Sequence, residues 1–214
     1  TPTTAILGYA QLGADQGPWS EDRSKEMWRA DEQQAARLRN LVEQLLEVQR
    51  LSDGDVALTE SVRFDMSSIA ASVAGDSMVI DPEHPIDLDV PETCWVEAPQ
   101  VPIEQIVSNL VSNVRAHTPA GTRSQLRLTR GVSNVEIAVI DDGPGIPSSA
   151  RAQVFDRLVR VAGTTGPGSG LGLAIVAATA ARLNGQVMVE ASHDDGSGTT
   201  VRVLLPLDDR SSIG

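Results

Sequence analysis

Between Gly163 and Gly172 the chain places five glycines in ten positions and then runs straight into apolar residues. The segment reads Gly163-Thr164-Thr165-Gly166-Pro167-Gly168-Ser169-Gly170-Leu171-Gly172-Leu173, and a helix is predicted from Ala174 to Leu183. Successive backbone N–H groups at a helix N-terminus can hold an anion without any cationic side chain. A flexible linker is the plainer alternative. Leu171, Leu173, Ile175 and Val176 speak against it, because a linker has nothing to bury. The segment is not a Walker loop, since no Gly-Lys-Ser/Thr follows. Nor is it a dinucleotide fingerprint: Leu171 stands where the third glycine belongs, and no strand leads directly in.

Three further segments carry chemistry. In an amphipathic helix predicted over residues 100–116, Asn109 and Asn113 lie four apart and share a face. Paired amide oxygens suit a hard cation such as Mg²⁺, and a solvated pair of amides is the alternative. In Val139-Ile140-Asp141-Asp142-Gly143-Pro144-Gly145-Ile146-Pro147, an apolar strand ends in an acidic pair and a glycine turn. Glycine lets the backbone approach a flat ligand closely, and a carboxylate there can accept from an amino group such as adenine's. The third segment, Val154-Phe155-Asp156-Arg157-Leu158-Val159-Arg160, sets Arg157 and Arg160 just before the glycine run.

Charge narrows the class. Acidic residues number 29 against 17 basic ones, and Lys25 is the only lysine. A formal charge of −12 argues against a surface that grips nucleic-acid phosphates or an anionic membrane. Any phosphate site must rely on arginine, metal or backbone. The single Cys94 excludes a disulfide framework within the chain and a Cys-rich metal cluster. His84, His117 and His193 are far apart and form no HExxH pair. No apolar run approaches the roughly 20 residues that span a bilayer.

The chain divides near Ser52-Asp53-Gly54-Asp55, giving expected domains at 1–54 and 55–214. Residues 1–52 read as two helices around a break at Gly13–Pro18. Leu38, Leu41, Leu45 and Val48 follow a heptad-like 3-4-3 spacing. Two helices with one apolar stripe each cannot form a stable core alone, so this hairpin wants a partner, most simply a second copy. Beyond it, short strands are expected at Ile86–Val90, Cys94–Glu97, Leu126–Arg130, Val135–Ile140, Gln186–Ala191 and Thr199–Leu205. Helices are expected at about 66–75, 100–116 and 174–183. Arg63-Phe64-Asp65-Met66 reads as a lead into the first of these. Strands and helices come in runs, which indicates an α+β fold.

The four segments in this order resemble the ATP-binding domain of sensor histidine kinases, within the superfamily of gyrase, heat-shock chaperone, histidine kinase and MutL ATPases. Residues 109–118 are similar to the family's asparagine box, 141–146 to its first glycine box, 154–160 to its phenylalanine box and 168–173 to its second glycine box. Residues 1–52 resemble the family's dimerisation and phosphotransfer hairpin. The resemblance implies a four-helix bundle on dimerisation, followed by an α/β sandwich that binds ATP and Mg²⁺.

It also implies roles. Asn113 would be the Mg²⁺ ligand and Asn109 a residue beside the phosphates. Asp141 would recognise the adenine amino group, with Gly143, Gly145 and Ile146 around the base. Gly168, Gly170, Leu171, Gly172 and Leu173 would present backbone to the phosphates. His117 would line the pocket, Arg160 would meet a phosphate, and 157–167 would form a lid. Thr1 matches a hydroxyl that positions water in the family's phosphatase reaction. The acceptor histidine would lie four residues before Thr1-Pro2, outside this chain, and none of the three histidines replaces it. The family often has a basic residue three positions after the Mg²⁺ ligand. Here that is Ala116, and Arg115 just before it, rotated about 100° around the helix, is the candidate to meet a phosphate in its place.

The implied reaction is transfer of the γ-phosphoryl group of ATP to a histidine, then to an aspartate of a response regulator receiver domain. The implied place is the cytoplasmic side of a cell membrane, with any span in segments beyond this chain. An ATP hydrolase of the same superfamily is disfavoured, because Asn109 stands where its water-activating glutamate would be. A serine kinase that binds a sigma factor and a non-catalytic nucleotide-gated module are the alternatives.

Overall fold

A computed structural model describes residues 60–156 and 170–207. The hairpin at 1–54, Thr1, the lid with Arg157 and Arg160, and Gly168 lie outside the described residues.

The described chain runs β1 (Val62–Asp65), α1 (Met66–Ile80), β2 (Ile86–Asp89), β3 (Trp95–Ala98), α2 (Gln100–His117), β4 (Ser124–Arg130), β5 (Asn134–Asp141), α3 (Gly172–Arg182), β6 (Gln186–Ala191) and β7 (Thr199–Pro206). β1 and β3 form an antiparallel ribbon. The other strands form one sheet in the order β2-β4-β5-β7-β6, with β2 parallel to β4 and every other pair antiparallel. The three helices pack on the sheet, which makes the α/β sandwich expected of residues 60–207.

Strand alternation decides which face they cover. Leu126 and Leu128 of β4, Val135, Ile137 and Val139 of β5, and Val201, Val203 and Leu205 of β7 are all buried. They meet Ile103, Ile106, Val107, Leu110, Val111 and Val114 of α2, the stripe expected of an amphipathic helix. Each such side chain contributes about 1.5–3 kcal/mol when fully buried. On the other face Arg202 pairs with Glu136 and Glu190, and Arg127 with Asp89.

Two elements differ from the sequence reading. Residues 62–65 form a strand, β1, because they pair with β3 from Val62↔Ala98 to Asp65↔Trp95. Asp65 then caps α1: its Oδ1 accepts from the N–H of Ser67 at 3.0 Å and of Cys94 at 2.7 Å. These bonds, that from Cys94 foremost, hold the Asp65 carboxyl below its ordinary range. α1 continues to Ile80, five residues past the expected end at about 75, and the Asp81 N–H closes it on the Ser77 carbonyl. The remaining elements match expectation to within a residue or two.

Candidate functional site

The cavity lies where four chain ends meet. β5 ends at Asp141, β7 begins at Thr199, α2 ends at His117 and α3 begins at Gly172. It is lined by Asn113, His117, Thr118, Asp141, Ile146 and Gly172 among others, and it is open to solvent.

Asp141 is the fixed point. It is 7% exposed, and its Oδ1 accepts from the N–H of Gly143 at 2.9 Å and of Thr199 at 3.2 Å. Both bonds fall on the same oxygen, and among the described residues Oδ2 has no hydrogen bond. Burial pushes the carboxyl above its ordinary 3.8, and the charge of Asp142 pushes it the same way. The bonds from Gly143 and Thr199 oppose this. A buried carboxylate with one bare oxygen is a strong acceptor for an N–H donor.

Gly143 sits against Asp141 and Thr118. A Cβ there would meet Asp141 Oδ1 at 2.8 Å and Thr118 Cγ2 at 2.8 Å. Gly145, at φ +78°, answers a different need. A Cβ on it would meet the Gly196 carbonyl oxygen at 2.4 Å, so it is glycine because the β6–β7 turn packs on it. The Gly198 N–H donates to the Gly143 carbonyl at 2.8 Å and fixes that contact.

The opposite wall comes from the helix ends. Asn113, Val114 and His117 of α2 line the cavity, as do Gly170, Gly172 and Leu173. Asn109 lies one turn earlier on α2, with Oδ1 3.9 Å from where a Gly172 Cβ would stand. Asn109 thus lies close to Gly172, and Asn113 lines the cavity with Gly170, Gly172 and Leu173. α3 starts two residues before the predicted point, so Gly172 and Leu173 belong to its first turn. Leu171 takes the N-cap position without a side-chain cap, and its own side chain is 1% exposed. It anchors the loop in the core.

Arg115 does not line the cavity. Two residues on from Asn113 it is turned about 200° around the helix, and its buried Nε has no hydrogen-bond partner among the described residues. His84 and His193 also lie outside the lining, and among the described residues no group of three or more His, Cys, Asp and Glu could hold a metal by itself.

Sequence reasoning missed Thr118, Thr199 and the wall role of Val154. Val154 is 8% exposed and lines the cavity, at the end of successive turns in which Ala150, Gln153 and Asp156 donate back to Pro147, Ala150 and Gln153. For Thr199 the available signal was the Gly196-Ser197-Gly198 run, which marks a close backbone approach.

A family model described as histidine kinase-, DNA gyrase B- and HSP90-like ATPase matches residues 98–209, and the chain belongs to that family. The probable sensor histidine kinase TcrY of Mycobacterium tuberculosis (strain ATCC 25618 / H37Rv) is 37% identical over 216 residues, covering 97% of this chain and 43% of that protein. The chain therefore spans less than half the length of that curated relative. The structure of the mycobacterial sensor histidine kinase MprB is 27% identical with a TM-score of 0.62, covering 68% of this chain and 98% of that one. The histidine kinase ThkA in complex with the response regulator TrrA has a TM-score of 0.75 over 99% of this chain and 59% of that one. At 18% identity that likeness is one of fold. No described helix is long and apolar enough to cross a membrane.

Proposed function

We propose that this chain is the catalytic core of a sensor histidine kinase, which binds ATP with Mg²⁺ and transfers the γ-phosphoryl group to a histidine of the dimerisation hairpin. The observation that carries this is Asp141. One carboxylate oxygen is tied to two backbone N–H groups, the other has no hydrogen bond among the described residues, and Asp141 lines the cavity. An exocyclic amino group is the donor such an oxygen suits, and Gly143 keeps the turn close because Asp141 and Thr118 occupy the space its Cβ would need.

The rest of the cavity fits the other parts of the nucleotide. Gly170, Gly172 and the first turn of α3 would offer backbone N–H groups to phosphate. Mg²⁺ usually keeps several waters and binds through one or two protein oxygens together with substrate phosphates, so a lone amide such as that of Asn113 is a sufficient ligand. The metal would neutralise phosphate charge. Asn109, Gly168 and Leu171 complete the phosphate side, and Arg160 supplies the cation that Arg115 does not. Phosphoryl transfer needs positioning and charge neutralisation more than covalent help, which this set provides.

The phosphoryl group then passes to an aspartate on a response regulator receiver domain, and two copies of the chain associate through the hairpin at 1–54. Thr1 positions water in the phosphatase reaction, which hydrolyses that aspartyl phosphate. In the whole protein this core stands on the cytoplasmic side of a membrane. Calorimetric titration of the chain with ATP, with and without Mg²⁺, is the direct test. Absence of binding would dismiss the assignment.

A further inference from the structure

His84 lies outside the cavity and outside every nucleotide box, yet it is only 7% exposed. It stands in the loop between α1 and β2. Its Nδ1 is 2.8 Å from Asp81 Oδ2, and its Nε2 is 3.4 Å from the Thr118 carbonyl oxygen. Both neighbours are acceptors, and a neutral ring carries a single N–H, so bonding both at once takes a proton on each ring nitrogen.

Thr118 is where this matters. It lines the cavity, and its methyl group fills the space that a side chain on Gly143 would need. Its own N–H and Oγ1 both donate to the Val114 carbonyl, at 3.0 and 2.7 Å. Its carbonyl is thus the group through which another element can hold it. The His84 loop also grips the segment after α2 at two more points. Gly121 N–H donates to the Glu83 carbonyl at 2.8 Å, and Ser124 N–H to the Pro85 carbonyl at 3.0 Å. These main-chain bonds fix the segment beyond Thr118, and the His84 ring adds a hold on the Thr118 carbonyl itself.

We propose that His84 is a positioning residue for the nucleotide: with Asp81 behind it, it fixes Thr118 and so preforms the cavity wall beside Gly143. The proposal rests on the assignment of this cavity to ATP. A residue that only filled space would be replaced by any side chain of its volume. A positioning donor is replaced only by another donor.

The 214-residue chain is titrated with ADP in a calorimeter as parent, His84→Leu, His84→Gln and Asp141→Asn. The Leu variant is expected to bind about fivefold more weakly, as for one lost hydrogen bond, and the Gln variant to stay within about twofold of the parent. Parental affinity in His84→Leu overturns the proposal, and so does equal loss in the Leu and Gln variants. Unchanged affinity in Asp141→Asn would instead remove the nucleotide assignment itself. If the Leu variant fails to fold, the assigned imidazole resonances of His84 in the parent decide. They are expected to move with ADP occupancy, and resonances that stay still overturn the proposal.

Discussion

The N–H of Thr199 donates to Asp141 Oδ1 at 3.2 Å across 58 positions of sequence. The bond joins the first residue of β7 to the last of β5, where the register pairs these same two residues. It does two things at once. It satisfies one oxygen of a buried carboxylate, and it leaves the other oxygen free to act. The sheet thereby delivers a charged acceptor to the cavity without a cationic partner that would compete with the ligand.

Asp141→Asn therefore separates binding from stability. The amide oxygen can still accept from Gly143 and Thr199, and the cost of burying a charge disappears. The variant is expected to melt no lower than the parent. Its NH₂ group, however, faces a donor on the ligand. Loss of a hydrogen bond to a charged group costs about 1.5–3 kcal/mol, so nucleotide affinity should fall roughly ten- to hundredfold. Thermal melts beside calorimetry check both halves.

The raised Asp141 pKa has effects of opposite sign on affinity and stability. Recognition needs the ionised carboxylate, so affinity should fall as pH drops through a value above the ordinary 3.8. For stability, a group whose folded pKa is raised contributes fully below its unfolded value and loses that contribution as pH rises through the folded one. Acid should thus weaken binding while Asp141 itself favours the folded state. ADP titrations and melts between about pH 4 and 7 would show it, with Asp141→Asn lacking the Asp141 step in both curves.

Asn113→Ala tests the metal. Asn113 lines the cavity on the helix wall facing the glycine loop. If its amide oxygen binds Mg²⁺, the variant should lose the part of ATP affinity that depends on the metal and keep the rest. Titrations with and without a chelator should then converge for the variant and differ for the parent. A variant that still responds to Mg²⁺ as the parent does would count against Asn113 as ligand.

Much of this was legible in the sequence, because the periodic elements are unambiguous. The stripe from Ile103 to Val114 reads as a helix face, and the alternation at β4 and β5 reads as strands. The asparagine pair, Asp141 and the glycine box could be read as chemistry because their residue types have few other uses in that order. β1 was not legible: four residues ending in a helix cap carry too little period, and only their pairing with β3 makes them a strand. Thr199, Thr118 and His84 were not legible either. Their contributions come through main-chain atoms or through contacts between loops distant in sequence, and neither leaves a pattern in residue type.

The glycines offer a last test, since two of them should respond to alanine with opposite sign. Gly198 has φ +67°, and a Cβ would meet the Asp141 carbonyl oxygen at 2.5 Å and Ser192 Cβ at 2.7 Å. Both obstacles belong to the packed turn and one is main chain, so the hairpin must move away from Asp141. Gly198→Ala is expected to destabilise the domain by about 2 kcal/mol or more and to weaken ADP binding in the molecules that remain folded. Gly75 lies within α1, with nothing within 4 Å of a Cβ. Gly75→Ala should stabilise by about 0.5–1 kcal/mol and leave ADP affinity unchanged. Chemical denaturation of both variants, paired with ADP titration, reads the two outcomes. A Gly198→Ala protein with parental stability and affinity would mean that the β6–β7 turn does not set the geometry of the Asp141 site.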